Sequence, residues 1–297
     1  MLKFFISILM FIFTFTSVNA GDEQALKQKT ISKITNTFSA ALETIIGKGA
    51  GDTEVRITGT DPYPSWSIMS VRPISVHPEV DAWFLQLQLN EGKIRSDDPR
   101  YSINAGLGYR KLSDDQNIMT GYNVFLDWDQ EGNTRASLGL ELRTAAFEAI
   151  LNYYEAISSG VNVQTFTERT LGGYEIDIIG QVPYLPWANV VFNHYEWQAD
   201  KNSKDSTGEK ISLELTLTPN FIVEAGGDDN NIDGSTNFVK AYLVFPARER
   251  VAASNNFFGE SAFSKVSMSG ELLSKVRRSN VQVIESEGTG VVIGRAQ

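Results

Sequence analysis

Cysteine is absent from the 297 residues, which excludes a disulfide-stapled fold and a thiolate metal site. Histidine is nearly absent. His77 and His194 are the only two, far apart and without partners at metal-ligand spacing, so a histidine-based catalytic apparatus has little to draw on. Positive charge is in deficit, with 26 Lys and Arg against 36 Asp and Glu and a net charge of −10. Phosphate backbones are bound through basic patches, so this balance argues against a nucleic-acid partner. Beyond residues 1–20 no apolar run approaches the ~20 residues that a transmembrane helix requires. What is plentiful is aromatic side chains, 11% of the total, and glycine, with 24 residues, a mixture that suits a β protein with tight turns.

The N-terminus has the form of a secretory signal. Lys3 supplies a short positive start, residues 4–15 are apolar apart from Ser7 and Thr14, and Val18-Asn19-Ala20 has the small-x-small pattern of a cleavage site. Residues 1–20 are therefore set aside as a signal peptide. In residues 21–53 the spacing of Leu26, Ile31, Ile34, Phe38, Leu42 and Ile46 predicts an amphipathic helix over 22–46, ended by Gly47-Lys48-Gly49-Ala50-Gly51.

From 54 to 245 the pattern changes to alternation. Tyr101, Ile103, Ala105, Leu107 and Tyr109 share one face of a strand, and Ser102, Asn104, Gly106 and Gly108 share the other. Leu138, Leu140 and Leu142 oppose Ser137, Gly139, Glu141 and Arg143; Ile211, Leu213, Leu215 and Leu217 oppose Ser212, Glu214 and Thr216. About twelve such segments begin near Val55, Trp66, Trp83, Tyr101, Met119, Arg135, Phe147, Tyr174, Val190, Lys210, Phe221 and Asn237. A soluble sandwich also alternates, but other features favour a membrane barrel. The polar face carries mid-strand acids: Asp127, Glu141, Glu148, Glu175, Asp177, Glu214 and Glu224. The apolar face carries aromatics near strand ends, including Tyr101, Tyr109, Trp128, Tyr153, Tyr174 and Phe245. Long connections (91–100, 157–171, 198–208, 229–235) alternate with very short ones (144–146, 218–220). The predicted fold is an all-β, antiparallel transmembrane barrel of about twelve strands, closed on itself as lipid requires, with the acids lining its lumen.

Sites of other kinds are weak. Glu175 and Asp177 lie on one strand face and could span a glycosidic bond, but a solvated lumen is much the simpler account of them. Gly106 and Gly108 precede no helix, so they form no dinucleotide loop and more simply admit close packing in the lumen. The run 228–234, DDNNIDG, resembles a calcium loop in composition but lacks the later bidentate acid. No catalytic residue, cofactor or metal is expected.

One segment resembles a known family. GYNVFLDWDQEGNTRASLGLEL, beginning at Gly121, is similar to the inverse autotransporter β-domain of the intimin and invasin adhesins, where such a strand precedes an asparagine-rich turn and a glycine-rich strand. The similarity continues through SINAGLGYRKLSDDQNIMTGYN upstream and through GGYEIDIIGQVPYLPWANVVFNHYEW and ISLELTLTPNFIVEAGGDD downstream, in order, over most of 25–245. ELLSKVRRSNVQVIESE resembles the family segment where the passenger begins.

The resemblance implies a twelve-stranded outer-membrane barrel with a short periplasmic N-terminal helix and a linker, within 246–297, that runs back through the pore. In that family the arrangement exports the C-terminus to the cell surface by type V secretion, and it is linked to cell adhesion. The adhesins continue into immunoglobulin-like domains, whereas the sequence in hand stops at Gln297, so the expectation is a translocator that displays a short C-terminal segment. A passive pore or structural surface barrel is the alternative, and a lumenal enzyme the least favoured reading. The implied partners are outer-membrane lipid, the barrel-assembly machinery and periplasmic chaperones, and a host or neighbouring cell surface.

Residues 246–256 are long enough to cross ~30 Å of hydrocarbon in extended form. That reading puts Arg248 and Arg250 in the lumen against the acids, Glu260 onward outside the cell, and residues 275–278 at or beyond the outer rim. Residues 264–276 are a weak helix candidate, and 281–293 look strand-like.

Overall fold

A computed structural model describes residues 51–59, 65–93, 99–163, 166–201, 204–246 and 251–287. The expected signal peptide and N-terminal helix, and Arg248 and Arg250, lie outside the described residues. The barrel strands are β1 (Thr53–Gly59), β2 (Ser65–His77), β3 (Asp81–Lys93), β4 (Pro99–Leu112), β5 (Ile118–Asp129), β6 (Thr134–Thr144), β7 (Phe147–Ala156), β10 (Gly173–Val182), β11 (Leu185–Trp197), β12 (Ser206–Thr218), β13 (Phe221–Asn230) and β14 (Gly234–Phe245). They form a closed barrel in the order β1-β14-β13-β12-β11-β10-β7-β6-β5-β4-β3-β2. All pairings are antiparallel, and β1 closes the ring by bonding β14 on one side and β2 on the other.

The strands begin at or a few residues before the points where alternation starts. The sheet recruits the polar and glycine residues that flank each alternating run, such as Ser206-Thr207-Gly208-Glu209 at the head of β12. β11 shows the largest difference, because Leu185-Pro186-Trp187 does not alternate and yet belongs to the strand. Within the long connection between β7 and β10 lie β8 (Val161–Val163) and β9 (Phe166–Thr170), which join β15 (Ile284–Glu287) in a separate three-stranded sheet. The helix candidate at 264–276 reduces to one 3-10 turn, Met268–Glu271, begun by Ser267, whose side chain accepts from the Ser269 N–H.

Alternation sorts the side chains as a membrane barrel requires. Leu138 and Leu140 are each 51% exposed, while Ser137 between β6 neighbours is 7% exposed. In β12, Leu213 is 40% exposed and Ser212 is 5%. Gly106 and Gly108 face inward for a steric reason: a Cβ at either would fall 2.3 or 2.2 Å from the rings of Phe125 and Phe84. Near the short-turn end the outer face carries a row of aromatics across β3, β4 and β5. Trp83 and Tyr109 lie 4.9 Å apart and Tyr109 and Tyr122 5.3 Å, centroid to centroid. Toward the other end Tyr153 stands opposite Tyr174, and Trp128 is exposed. These rows match the interfacial girdles of outer-membrane barrels.

The two ends differ. Tight connections at 78–80, 113–117, 145–146, 183–184 and 219–220 gather at one end, which is the periplasmic end in such barrels. Glu79, Gln116 and Tyr184 take positive φ in three of these turns. In the 113–117 turn, hydrogen bonds from Ser113 and Asn117 hold the Asp115 carboxyl below its usual range. Among the described residues no helix is long and apolar enough to cross a membrane; the strands make the crossing.

Leu213 faces lipid near mid-strand, so Leu213→Arg is expected to cost about 2–4 kcal/mol. Ser212 lines a cavity of the lumen, so Ser212→Arg should be the milder change. Urea unfolding of both variants in lipid vesicles checks this; the opposite ranking would put the strand one residue out of register.

Candidate functional site: the threaded lumen

The lumen is occupied by the chain's own C-terminal region. After Phe245 at the short-turn end, residues 251–267 run across that end. The Ala253 N–H donates to Thr216 O at 2.9 Å, the Tyr184 N–H to Ala262 O at 2.9 Å, and the Gly259 N–H to Tyr184 O at 2.9 Å. The crossing begins at the 3-10 turn, where the Met268 N–H donates to Gln116 O. Met268, Leu272, Leu273 and Val276 then bury against Met69, Val71, Phe84, Met119 and Phe125 of the barrel wall, closing the short-turn end with an apolar cluster. At the other end Val283 packs with Tyr154, Leu171, Tyr195 and Trp197, and β15 pairs antiparallel with β9. Residues 271–283 therefore span the barrel.

Between these ends the crossing is ionic. Lys275 Nζ lies 2.7 Å from Glu54 Oε2 and 4.2 Å from the Tyr242 ring centroid. Arg277 forms a fork on Glu214, at 3.0 and 2.8 Å, and its Nε is 3.3 Å from Glu148. Arg278 forms a second fork on Asp127, at 3.0 and 2.7 Å, and also reaches Ser137 Oγ at 3.0 Å. The side chains of Arg278 and Asp127 are both fully buried. Bidentate guanidinium–carboxylate pairs are strong and directional, as burial of both charges demands.

The expected lumen acids are distributed as follows. Asp127, Glu148 and Glu214 take cations of the crossing segment. Glu175 accepts from the Ser279 N–H at 2.6 Å and from the Tyr154 hydroxyl. Glu141 is held by Arg110 at 2.8 and 3.1 Å. Asp177 accepts from Asn193 Nδ2 at 2.8 Å. Glu224 takes the Ser212 hydroxyl at 2.8 Å, Lys240 Nζ at 3.3 Å and the Tyr242 hydroxyl. The neighbours Glu175 and Asp177 are thus engaged by different partners. Among the described residues no group of three or more metal-ligating side chains is placed to hold a metal ion.

Two expectations about the tail are corrected. Residues 275–278 sit inside the lumen, not at or beyond the outer rim, and residues after Glu260 remain at the short-turn end through Met268. The reason is that 251–267 are spent crossing the mouth. The apolar residues of 268–276 find a greasy seat just inside it, and the cations behind them meet buried carboxylates. Sequence reasoning also missed the wall's own cations Arg110 and Arg135, both fully buried. Their signal was parity: Arg110 shares a face with Ser102, Asn104, Gly106 and Gly108, and Arg135 with Ser137, Gly139 and Glu141. Glu54, at the start of β1, was missed as well.

An apolar outer face with aromatic rows, a closed antiparallel sheet and a charged, threaded lumen define an outer-membrane β-barrel of the Gram-negative type. Residues 15–280 match the family described as inverse autotransporter, beta-domain, and the chain belongs to that family. Intimin of Escherichia coli O157:H7 is 26% identical over 200 residues, covering 63% of this chain and 21% of that protein. Intimin of Citrobacter freundii is 27% identical over 150 residues, 47% of this chain and 16% of its own length. The chain thus spans about a fifth of the curated relatives it matches. Among solved structures, one described as "Unveiling the Mechanism Behind the in-meso Crystallization of Membrane Proteins" has a TM-score of 0.66 at 19% identity, covering 80% of this chain and 99% of that one, a likeness of fold. Family and fold place the chain in the outer membrane, with the anchor or translocator barrels.

Asp127 lies between Arg278 and Arg135 with no water access, so Asp127→Asn strands buried cations and is expected to cost about 3–5 kcal/mol. Asp127→Asn combined with Arg278→Met should lose less than the sum of the two single changes. A double-mutant cycle by chemical unfolding in micelles measures the coupling.

Proposed function

We propose that this barrel exports its C-terminal region through its own lumen and displays it on the cell surface while anchoring it in the outer membrane. The single observation that carries the reading is the continuous path of the chain: from Phe245 at the short-turn end, through the lumen at 271–283, to β15 at the long-loop end. A tail that served only as a periplasmic appendage would gain nothing from burying Lys275, Arg277 and Arg278 inside the sheet. Adhesion would be the work of whatever the displayed region binds on a host or neighbouring cell. Insertion relies on outer-membrane lipid, periplasmic chaperones and the barrel-assembly machinery.

Cysteines at the two ends test the path. Glu287 has an exposed side chain in β15, and Phe258 is 68% exposed on the short-turn side. A membrane-impermeant maleimide added to intact cells should label Glu287→Cys at once and Phe258→Cys only after the outer membrane is opened. The reverse order would mean that the segment is threaded in the opposite sense, and protection of both would mean that the tail is not displayed.

A second reading, a passive pore, is favoured by one observation: cavities of about 160 and 250 Å³ lie beside the crossing segment, lined among others by Glu54, Met69, Lys275 and Arg277. Planar-bilayer recordings separate the two. A plugged translocator should show small conductance that rises several-fold when residues 268–283 are deleted, whereas a constitutive pore conducts equally with and without them.

A further inference from the structure

About half of the hydrogen bonds between the wall and the crossing segment go to the segment's main chain. Arg110 caps the end of the 3-10 turn, donating to the carbonyls of Leu272 and Lys275, both at 3.2 Å, and to that of Ser274; the bonds to the extended stretch begin after it. Gln86 Oε1 accepts the Val276 N–H at 2.8 Å. Asn152 Nδ2 donates to the Arg277 carbonyl at 3.0 Å and Arg135 to that of Ser279 at 2.8 Å. The Ser279 N–H donates to the Tyr154 hydroxyl at 2.8 Å and to Glu175, and Asn104 Nδ2 donates to the Asn280 carbonyl at 2.8 Å. All these wall residues belong to β3, β4, β6, β7 and β10, one continuous arc of the barrel. The facing arc, β11–β14 and β1, fronts the larger part of the cavity of about 160 Å³.

We infer that the β3–β10 arc is a binding track for extended polypeptide main chain, indifferent to sequence, along which other segments of the exported chain pass before 271–283 come to rest. The inference rests on the export reading above. Its chemistry is general. Every residue except proline presents the same N–H and C=O, and a buried one without a partner is costly. An extended chain presents these groups on the same side at every second residue, about 7 Å apart, so a forward step of two residues replaces one bonded set with an equivalent set. Amide and guanidinium side chains suit this role, because they offer donors or acceptors on flexible stems. Side-chain recognition, by contrast, is concentrated in the ion pairs of Lys275, Arg277 and Arg278. The track therefore lowers the barrier to transit for any sequence, and the ion pairs define where transit stops.

The test follows transit in cells in the full chain carrying Glu287→Cys. Synthesis is pulsed and then stopped, and the half-time for impermeant-maleimide labelling is recorded, with barrel folding checked by heat-modifiable gel mobility. Gln86→Leu and Asn152→Leu each remove a main-chain partner and should lengthen the half-time roughly 2- to 10-fold, the range expected for one hydrogen bond. Val281→Ala alters a crossing side chain but no main-chain group, and should leave the half-time unchanged. If Gln86→Leu prevents folding, Gln86→Met, closer in shape, repeats the measurement. Wall variants that fold and label at the parent rate overturn the track, as does a Val281→Ala delay equal to theirs. If the parent Glu287→Cys protein is never labelled on intact cells, the export reading itself fails, an outcome distinct from parent labelling with unaltered wall variants.

Discussion

A strand in hydrocarbon has no water to satisfy its N–H and C=O groups, so a spanning sheet must close. The double pairing of β1, with β14 and with β2, meets that requirement, and the rest of the molecule depends on it. Once the sheet is closed, side-chain alternation acquires a meaning that it lacks in an open sheet. One parity meets lipid and is apolar, and the other is enclosed. The enclosed parity collects acids and arginines, which in so small a lumen cannot be left to bulk water.

Pairing those enclosed charges is the second constraint, and it gives the tail its place. Burying an ion pair is costly unless its geometry is good and its remaining hydrogen bonds are met, and removing one partner is costlier still. Arg278 on Asp127, Arg277 on Glu214 and Glu148, and Lys275 on Glu54 are close in sequence but reach different walls of the barrel. A slip of one residue would turn these side chains away from their carboxylates together. The ion pairs thus act on register more than on stability. The apolar cluster at Met268 and the β15–β9 pairing secure the two ends of the same segment.

Legibility varied with the range of the interaction. Strand positions, the facing of Leu138 or Ser212, and the inward direction of Asp127 and Glu175 all follow from period-two parity, a property of neighbouring residues. Arg110 and Arg135 were equally legible by parity, but an arginine on a polar face has no local mark that separates a buried ligand of the main chain from a solvated surface charge. The strands β8 and β9 were read as loop. They are short, and they are held partly by β15, more than a hundred residues away. Leu185-Pro186-Trp187 failed for another reason: only Leu185 is paired, with Val182 across a bulge, and regular pairing with β12 begins at Ala188, so the strand's start is irregular and carries no alternation to read.

The sequence by itself determined that there are about twelve strands, which face of each is apolar, and that the connections are short at one end. Each of these is written in the spacing of residues along one segment. Only the tertiary structure decided which part of the tail occupies the lumen. Residues 246–256 and 271–283 are both long enough to cross and both carry cations, so length and charge did not separate them. What separates them is matching at a distance: Lys275 meets Glu54 from 221 positions along the chain, and Met268 finds a cluster assembled from β2, β3, β4 and β5. No local pattern records such complementarity, because it exists only after the sheet has closed around the space that the segment fills.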